Sequence, residues 1–186
     1  LVPSRGNVFF DGINIHNNLE QFRSHIGYVP QDTMLLNESI ESNITFCRNA
    51  VSEHALEEVL HICEVDVIMK TNSMSIDTVI GEKGNKLSGG QKQKIALSRA
   101  LYRKPKLLII DEGTSNIDSD TEERILKRVK SVYPDMTIII VSHRLSTVRK
   151  ADRIIVLDKS QVAENGEYAQ LLDNGTVFRK IFANQI

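Results

Sequence analysis

Four apolar residues without a polar break, Leu107-Leu108-Ile109-Ile110, stand between Pro105 and the acidic pair Asp111-Glu112. A strand with one wet face alternates apolar and polar residues. An unbroken run is the pattern of a strand buried on both faces in a parallel sheet. Met136 to Val141 and Ile154 to Leu157 have the same character and predict a second and a third buried strand. Asp118 or Ser119 can cap a helix running to about Val132 between the first two. Strand, helix, strand, short helix, strand requires right-handed crossovers and gives an α/β sheet. The chain of 186 residues is long enough for one domain with a substantial core.

The N-terminal third reads differently. Val8 to Phe10 predicts a short strand, Asp11-Gly12 a hairpin turn, and Ile13 and Ile15 the return strand. Gln21 to Ser24 reads as a short link, and Ile26 to Val29 as a strand stopped by Pro30. From about Thr33 to Lys104 the pattern is mostly helical. Glu38 to Phe46 reads as a short helix. Ser52 can cap a second, in which Ala55, Leu56, Val59, Leu60 and Cys63 recur at helical spacing. Val65 to Met69 reads as an apolar turn and Thr71 to Ile76 as a polar connection. The tail from Tyr168 to Phe182 predicts two short helices broken at Asn174-Gly175.

Charge and cysteine content exclude several classes. Lys and Arg number 23 against 24 Asp and Glu, a formal net charge of −1, so no basic excess points to nucleic acid. Cys47 and Cys63 lack metal-ligand spacing, and a reduced, cytosolic setting is the default. No apolar run approaches the roughly 18–20 residues needed to span a bilayer.

Leu87-Ser88-Gly89-Gly90-Gln91 opens the helix that Pro105 ends. Ser88 can cap it while Gln91 reaches back to the cap's N–H. The first-turn N–H groups and the positive end of the helix suit a phosphate, and glycine lets a ligand come close. The plainer reading is a capping box with two tolerated glycines. In open α/β sheets ligands bind at the carboxyl ends of the strands. Asp111 there suits magnesium, and Glu112 suits a general base; the plainer reading is an acidic pair that caps a loop. Ser142-His143 ends the next strand, where His143 can donate a hydrogen bond to a phosphate oxygen. Gln31, after Tyr28-Val29-Pro30, offers an amide oxygen to a metal or a water. Asp118 has the alternative of a simple helix cap.

Together, in identity and order, these segments resemble the ATP-binding (nucleotide-binding) domain of ABC transporters. Gln31 matches the Q-loop, Leu87 to Gln91 the signature motif, Leu107 to Glu112 the Walker B strand, Ser115 to Asp118 the D-loop and His143 the switch histidine. The resemblance runs from Gly6 to about Phe182. Thr78-Val79-Ile80-Gly81-Glu82-Lys83-Gly84 is similar to a segment of the exporter type, and Gly113 to the spelling in bacteriocin and peptide exporters.

The resemblance implies a partial P-loop NTPase (RecA-like) parallel sheet core with a helical subdomain over about 33–104 and a short antiparallel β element at the N-terminus. Residues 1–32 and 105–186 would form the catalytic core subdomain. It implies ATP and Mg2+ as ligands: Asp111 and Gln31 at the metal, and Glu112 and His143 as catalytic residues. Gln31, Ser88, Gly89, Gly90, Gln91 and Asp118 would contact the nucleotide. The implied partners are a transmembrane domain of the same transporter and a second cassette packed head to tail, at the cytoplasmic face of the cell membrane. The implied activity is ATP hydrolysis coupled to export. No G-x-x-x-x-G-K-[ST] phosphate loop occurs in the sequence. The resemblance therefore implies that a strand–loop–helix unit of roughly 30–50 residues lies outside this chain, and that the chain alone is inactive. Two other readings stay open: a soluble ABC ATPase of DNA repair or translation, and a truncated, non-catalytic dimerisation module.

Overall fold

Parallel pairing of two distant segments organises the first part of the molecule. The structure, a computed structural model, describes residues 3–46 and 52–185, so Cys47 lies outside the described residues. The chain divides into two compact units, Leu1–Ile140 and Val141–Ile186.

In the first unit, β1 (Phe9–Phe10) and β2 (Ile13–Asn14) form the hairpin that Asp11-Gly12 predicts. Ile15 leaves the return strand and enters a single 3-10 turn. The predicted link is instead a helix, α1 (Leu19–Ser24), which Asn18 caps by accepting from the Gln21 N–H. Strand β3 (Ile26–Val29) pairs in parallel with β4 (Leu107–Asp111), and β5 (Thr137–Val141) completes the sheet in the order β3-β4-β5.

Helices fill the interval between β3 and β4. They are α2 (Ile40–Thr45), α3 (Glu53–Ile62), α4 (Val65–Thr71) and α5 (Gly89–Tyr102). Ser52 caps α3 by accepting from the Ala55 N–H, as its spacing predicts. The 65–69 turn is longer than predicted, because Glu64 in the left-handed region lets the chain restart as α4. Helix α6 (Ser119–Val132) begins at Asp118 and connects β4 to β5. Val29, Leu108 and Ile110 share one core with Ile95, Leu97, Leu101, Ile125 and Val129.

Burial on both sheet faces does not hold. Leu108 and Ile110 are fully buried while Leu107 and Ile109 are only half-buried. In β5, Ile138 and Ile140 pack on the core, but Ile139 and Val141 are about half exposed. The contacting helices lie against one face, so an apolar run here does not report two covered faces.

The second unit corrects the third strand. Helix α7 (Leu145–Val148) precedes β6 (Ile154–Asp158), which pairs antiparallel with β7 (Gln161–Gly166) in a two-stranded sheet of its own. Only alternate β6 residues, Ile154 and Val156, are buried. Helices α8 (Tyr168–Asn174) and α9 (Thr176–Ile181) break at Gly175 as predicted. Phe178 is buried among Leu145, Ile154, Val156, Leu171 and Phe182. The Glu164 carboxylate gathers the Thr176, Val177 and Phe178 N–H groups at the start of α9.

Candidate functional site

The register of β3 against β4 sets two loop starts side by side. Ile26 faces Leu107 and Val29 faces Ile110, so Pro30-Gln31 and Asp111-Glu112 leave the sheet at the same edge. Glu112 takes a positive φ of 49°, which turns the chain sharply after the strand. Gly113 follows against β3: a Cβ there would lie 2.5 Å from Val29 Cγ1 and 2.9 Å from the Val29 carbonyl oxygen. Only glycine lets the two chains approach this closely.

That approach separates the two carboxylates by function of their partners. Asp111 Oδ2 accepts from the Tyr28 hydroxyl at 3.1 Å. This hydrogen bond raises the Tyr28 pKa. Glu112 Oε2 accepts from Gln31 Nε2 at 2.6 Å. The Gln31 amide thus turns its nitrogen to Glu112, and its oxygen is the atom that could hold a cation. Asp111 and Glu112 are both half-buried, and a separate donor offsets the cost of each.

The Leu87–Gln91 segment forms a second cluster. Leu87 is buried, and Ser88 caps α5 with the full box: Ser88 Oγ accepts from Gln91 N at 3.3 Å, and Ser88 N donates to Gln91 Oε1 at 3.0 Å. The first two helical residues are Gly89 and Gly90, whose N–H groups have no acceptor one turn back within the helix. Gly90 lies against Asn116, and an added Cβ would sit 2.7 Å from the Asn116 carbonyl oxygen. Ser115 to Asp118 is thereby laid on the start of α5. Asp118 caps α6 by accepting from the Thr121 N–H at 2.9 Å, and that bond lowers its pKa.

The structure therefore brings Gln31, Asp111 and Glu112 together, and Ser88, Gly89, Gly90 and Gln91 together with Asp118's loop. His143 belongs to the second unit. Its imidazole is exposed, and its carbonyl accepts from Gln185 Nε2 at 3.0 Å while Gln185 Oε1 accepts from the Leu145 N–H.

Two side chains that sequence reasoning missed hold these clusters. Gln93 is 2% exposed; its amide donates to Ser115 Oγ at 3.2 Å and accepts from the Asn116 N–H at 2.8 Å. Its signal was present: Gln93 sits on one helical stripe with Ala96, Leu97 and Ala100, all buried. Arg99 donates to the Asn43 carbonyl of α2 at 2.7 Å and to the Met34 carbonyl in the loop after Gln31 at 2.9 Å, with its guanidinium 5.3 Å from the Phe46 ring centre. Met34, Leu36, Phe46 and Val79 expose apolar side chains, Met34 by 81%. Val79 bridges to Ser39 at the start of α2. No helix among the described residues is long and apolar enough to cross a membrane.

A model of the ABC transporter family matches residues 1–115. The iron-sulfur clusters transporter ABCB7 of Danio rerio mitochondria is 39% identical, over 98% of this chain and 25% of its own length. The exotoxin translocation ATP-binding protein PaxB of Pasteurella aerogenes is 40% identical, over 93% of this chain and 24% of its own. The chain thus spans about a quarter of the length of these curated relatives. Among solved structures, a bacterial Atm1-family ABC exporter with ATP bound is 34% identical with a TM-score of 0.92, over 98% of this chain and 32% of that one. The motifs, the parallel sheet and these matches agree: the chain belongs to the ABC transporter family, as a nucleotide-binding domain of the exporter type.

Proposed function

We propose that this chain works within a longer transporter polypeptide, coupling ATP binding and hydrolysis to export across a membrane. The observation that carries the reading is the 2.6 Å hydrogen bond from Gln31 Nε2 to Glu112 Oε2. It joins the loop that leaves β3 to the carboxylate suited to activate water. Residues 33–104 act as a helical subdomain, and residues 1–32 and 105–186 as the core subdomain.

The donor set fits the ligands. Magnesium takes oxygen atoms, keeps several waters, and is held by one or two carboxylates together with phosphate oxygens. Asp111 Oδ1 and Oδ2 and Gln31 Oε1 are oxygen donors at one sheet edge, suited to a cation that arrives with a nucleotide. Bound ATP supplies the transferable phosphoryl group, and magnesium neutralises phosphate charge. Glu112 orients the attacking water and takes its proton, a role that contributes about 10²–10⁴-fold. The Gly89 and Gly90 N–H groups and Ser88 bind a γ-phosphate presented by a second cassette, packed head to tail, with Asp118's loop beside them. His143 donates a hydrogen bond to a phosphate oxygen. The exposed apolar side chains of Met34, Leu36, Phe46 and Val79 support docking by a transmembrane domain at the cytoplasmic face. The cargo is not fixed by these residues, since the relatives are named for cargoes as unlike as iron-sulfur clusters and an exotoxin.

The test is Glu112→Gln in the full-length protein, with ATPase rate and ATP binding measured together. The expected result is a rate lowered about 10²–10⁴-fold with ATP still bound. A variant that hydrolyses ATP at the unaltered rate overturns the reading.

A further inference from the structure

Glu64 is a buried carboxylate that lies outside the clusters described above. It stands between α3 and α4 and is 7% exposed. Its backbone takes a φ of 56°, a conformation that costs a side-chain-bearing residue free energy. It is the N-cap residue of α4, yet its side chain makes no cap hydrogen bond. Instead, both oxygens are taken from other helices. Lys94 Nζ of α5 lies 3.1 Å from Oε2, and Arg124 of α6 donates through Nε to Oε1 at 3.0 Å and through Nη2 to Oε2 at 3.4 Å. Arg128 Nη1 stands further off, 3.6 Å from Oε1, and donates to the His61 carbonyl at 3.0 Å.

The two nearer cations lead to the two sides of the second cluster, the start of α5 and the Asp118 loop. Lys94 follows Gln93, the residue that clasps Ser115 and Asn116, on the helix that Ser88 opens. Arg124 Nη2 also donates to Thr121 Oγ1 at 2.8 Å, and the Thr121 N–H is held by Asp118. A continuous chain of polar contacts therefore runs Lys94–Glu64–Arg124–Thr121–Asp118. It connects the body of α5 to the first turn of α6. Gln93, one residue away on α5, ties that helix directly to the loop that leads into α6.

We propose that Glu64 is a positioning residue for the nucleotide site, its buried carboxylate locking α5 to α6 so that the Ser88–Gln91 helix start and the Ser115–Asp118 loop meet a nucleotide as one body. The proposal rests on the ATPase reading above. A corner residue that served only the α3–α4 turn would have no reason to take a cation from α5 and another from α6. Arg128, also on α6, supplies the internal contrast: it stands 3.6 Å from the same carboxylate and gives its hydrogen bond to the His61 carbonyl of α3 instead, with no link to Thr121 or Asp118.

The experiment compares Lys94→Met, Arg124→Met and Arg128→Met in the full-length protein. Each removes one cation from the same carboxylate. Lys94→Met and Arg124→Met are expected to lower kcat for ATP about ten- to a hundredfold, the scale of a small misplacement of reacting groups, with KM unchanged. The double variant should be no worse than either single one, because both break one tie. Arg128→Met should keep the unaltered kcat. Hydrogen exchange at the Asn116 amide, read on the same proteins, should speed up in the first two variants and not in the third. Equal kcat in all three, or multiplicative losses in the double variant, overturns the proposal, as does Asn116 exchange that follows overall melting alone. If the unaltered protein lacks ATPase activity, the functional reading fails, and the exchange pattern still decides whether Glu64 locks the two helices.

Discussion

Replacing Gly90 by alanine tests the contact on which the second cluster depends. Alanine in a helix gains up to about 1 kcal/mol over glycine, so an unobstructed Gly90→Ala should stabilise the protein. The structure opposes that gain. The new Cβ would sit 2.7 Å from the Asn116 carbonyl oxygen, a backbone atom that no side-chain rotation can move. Overpacking of this kind costs about 1–3 kcal/mol, so the net effect is a loss of up to about 2 kcal/mol. At about 2–4 °C per kcal/mol for a chain of this size, Tm should fall by a few degrees. Gly89→Ala is the matched control. Its Cβ would meet Asn116 Cγ at 3.2 Å and Asn116 Cβ at 3.3 Å, a milder crowding by side-chain atoms only, so this variant should melt above Gly90→Ala. The assay is a thermal melt followed by far-ultraviolet circular dichroism, because the chain has no tryptophan. Hydrogen exchange at the Asn116 amide is read in parallel. If Gly90→Ala melts at or above the unaltered protein while Asn116 stays protected, helix start and loop are not in the contact described.

Gly113→Ala places a Cβ 2.5 Å from Val29 Cγ1 and should push the two loops apart; a crystal structure of the variant with the Gln31–Glu112 bond intact would refute the close-approach argument. Gln93→Ala leaves the Asn116 N–H without its acceptor and should cost about 1–3 kcal/mol by urea denaturation, whereas a neutral result would mean that the amide is satisfied elsewhere. Acid should weaken the Glu64 contacts. Burial pushes the Glu64 carboxyl up, but the Arg124 and Lys94 hydrogen bonds outweigh it and hold its pKa below the ordinary 4.5. Its stabilisation is therefore complete above pH 4.5 and lost as pH falls through the lowered value. Glu64→Gln should flatten the acid limb of a stability–pH curve; an unchanged limb assigns acid sensitivity to other carboxylates.

What the sequence disclosed was local or repeated at a fixed period. Ser52, Ser88 and Asp118 cap helices because each lies three residues before the N–H it accepts from, and that spacing is visible in a string. The burial of β5 and the pairing of β6 were not visible. Ile154 to Leu157 reads as apolar throughout, yet its alternate residues are exposed and its partner is the following strand. Turn residues Lys159 and Ser160, both with positive φ, are what permit that tight return. Neither is a residue type from which a hairpin is read. Glu64 and Arg99 were illegible for another reason: their partners lie 30–65 residues away.

Gln31 and Glu112 are 81 residues apart, and still their meeting could be anticipated. Two strands that lie in parallel end on the same edge, and Gln31 and Glu112 each lie two residues beyond a paired apolar residue, Val29 and Ile110. The sheet converts that shared position into proximity without any signal in the intervening helices. Glu64 has no such geometry behind it. Its carboxylate meets α5 and α6 only because the α3–α4 corner turns through a strained backbone and directs the side chain inward. A site built at strand ends is therefore readable from order alone, whereas the ties that set its rigidity are readable only once the helices are placed.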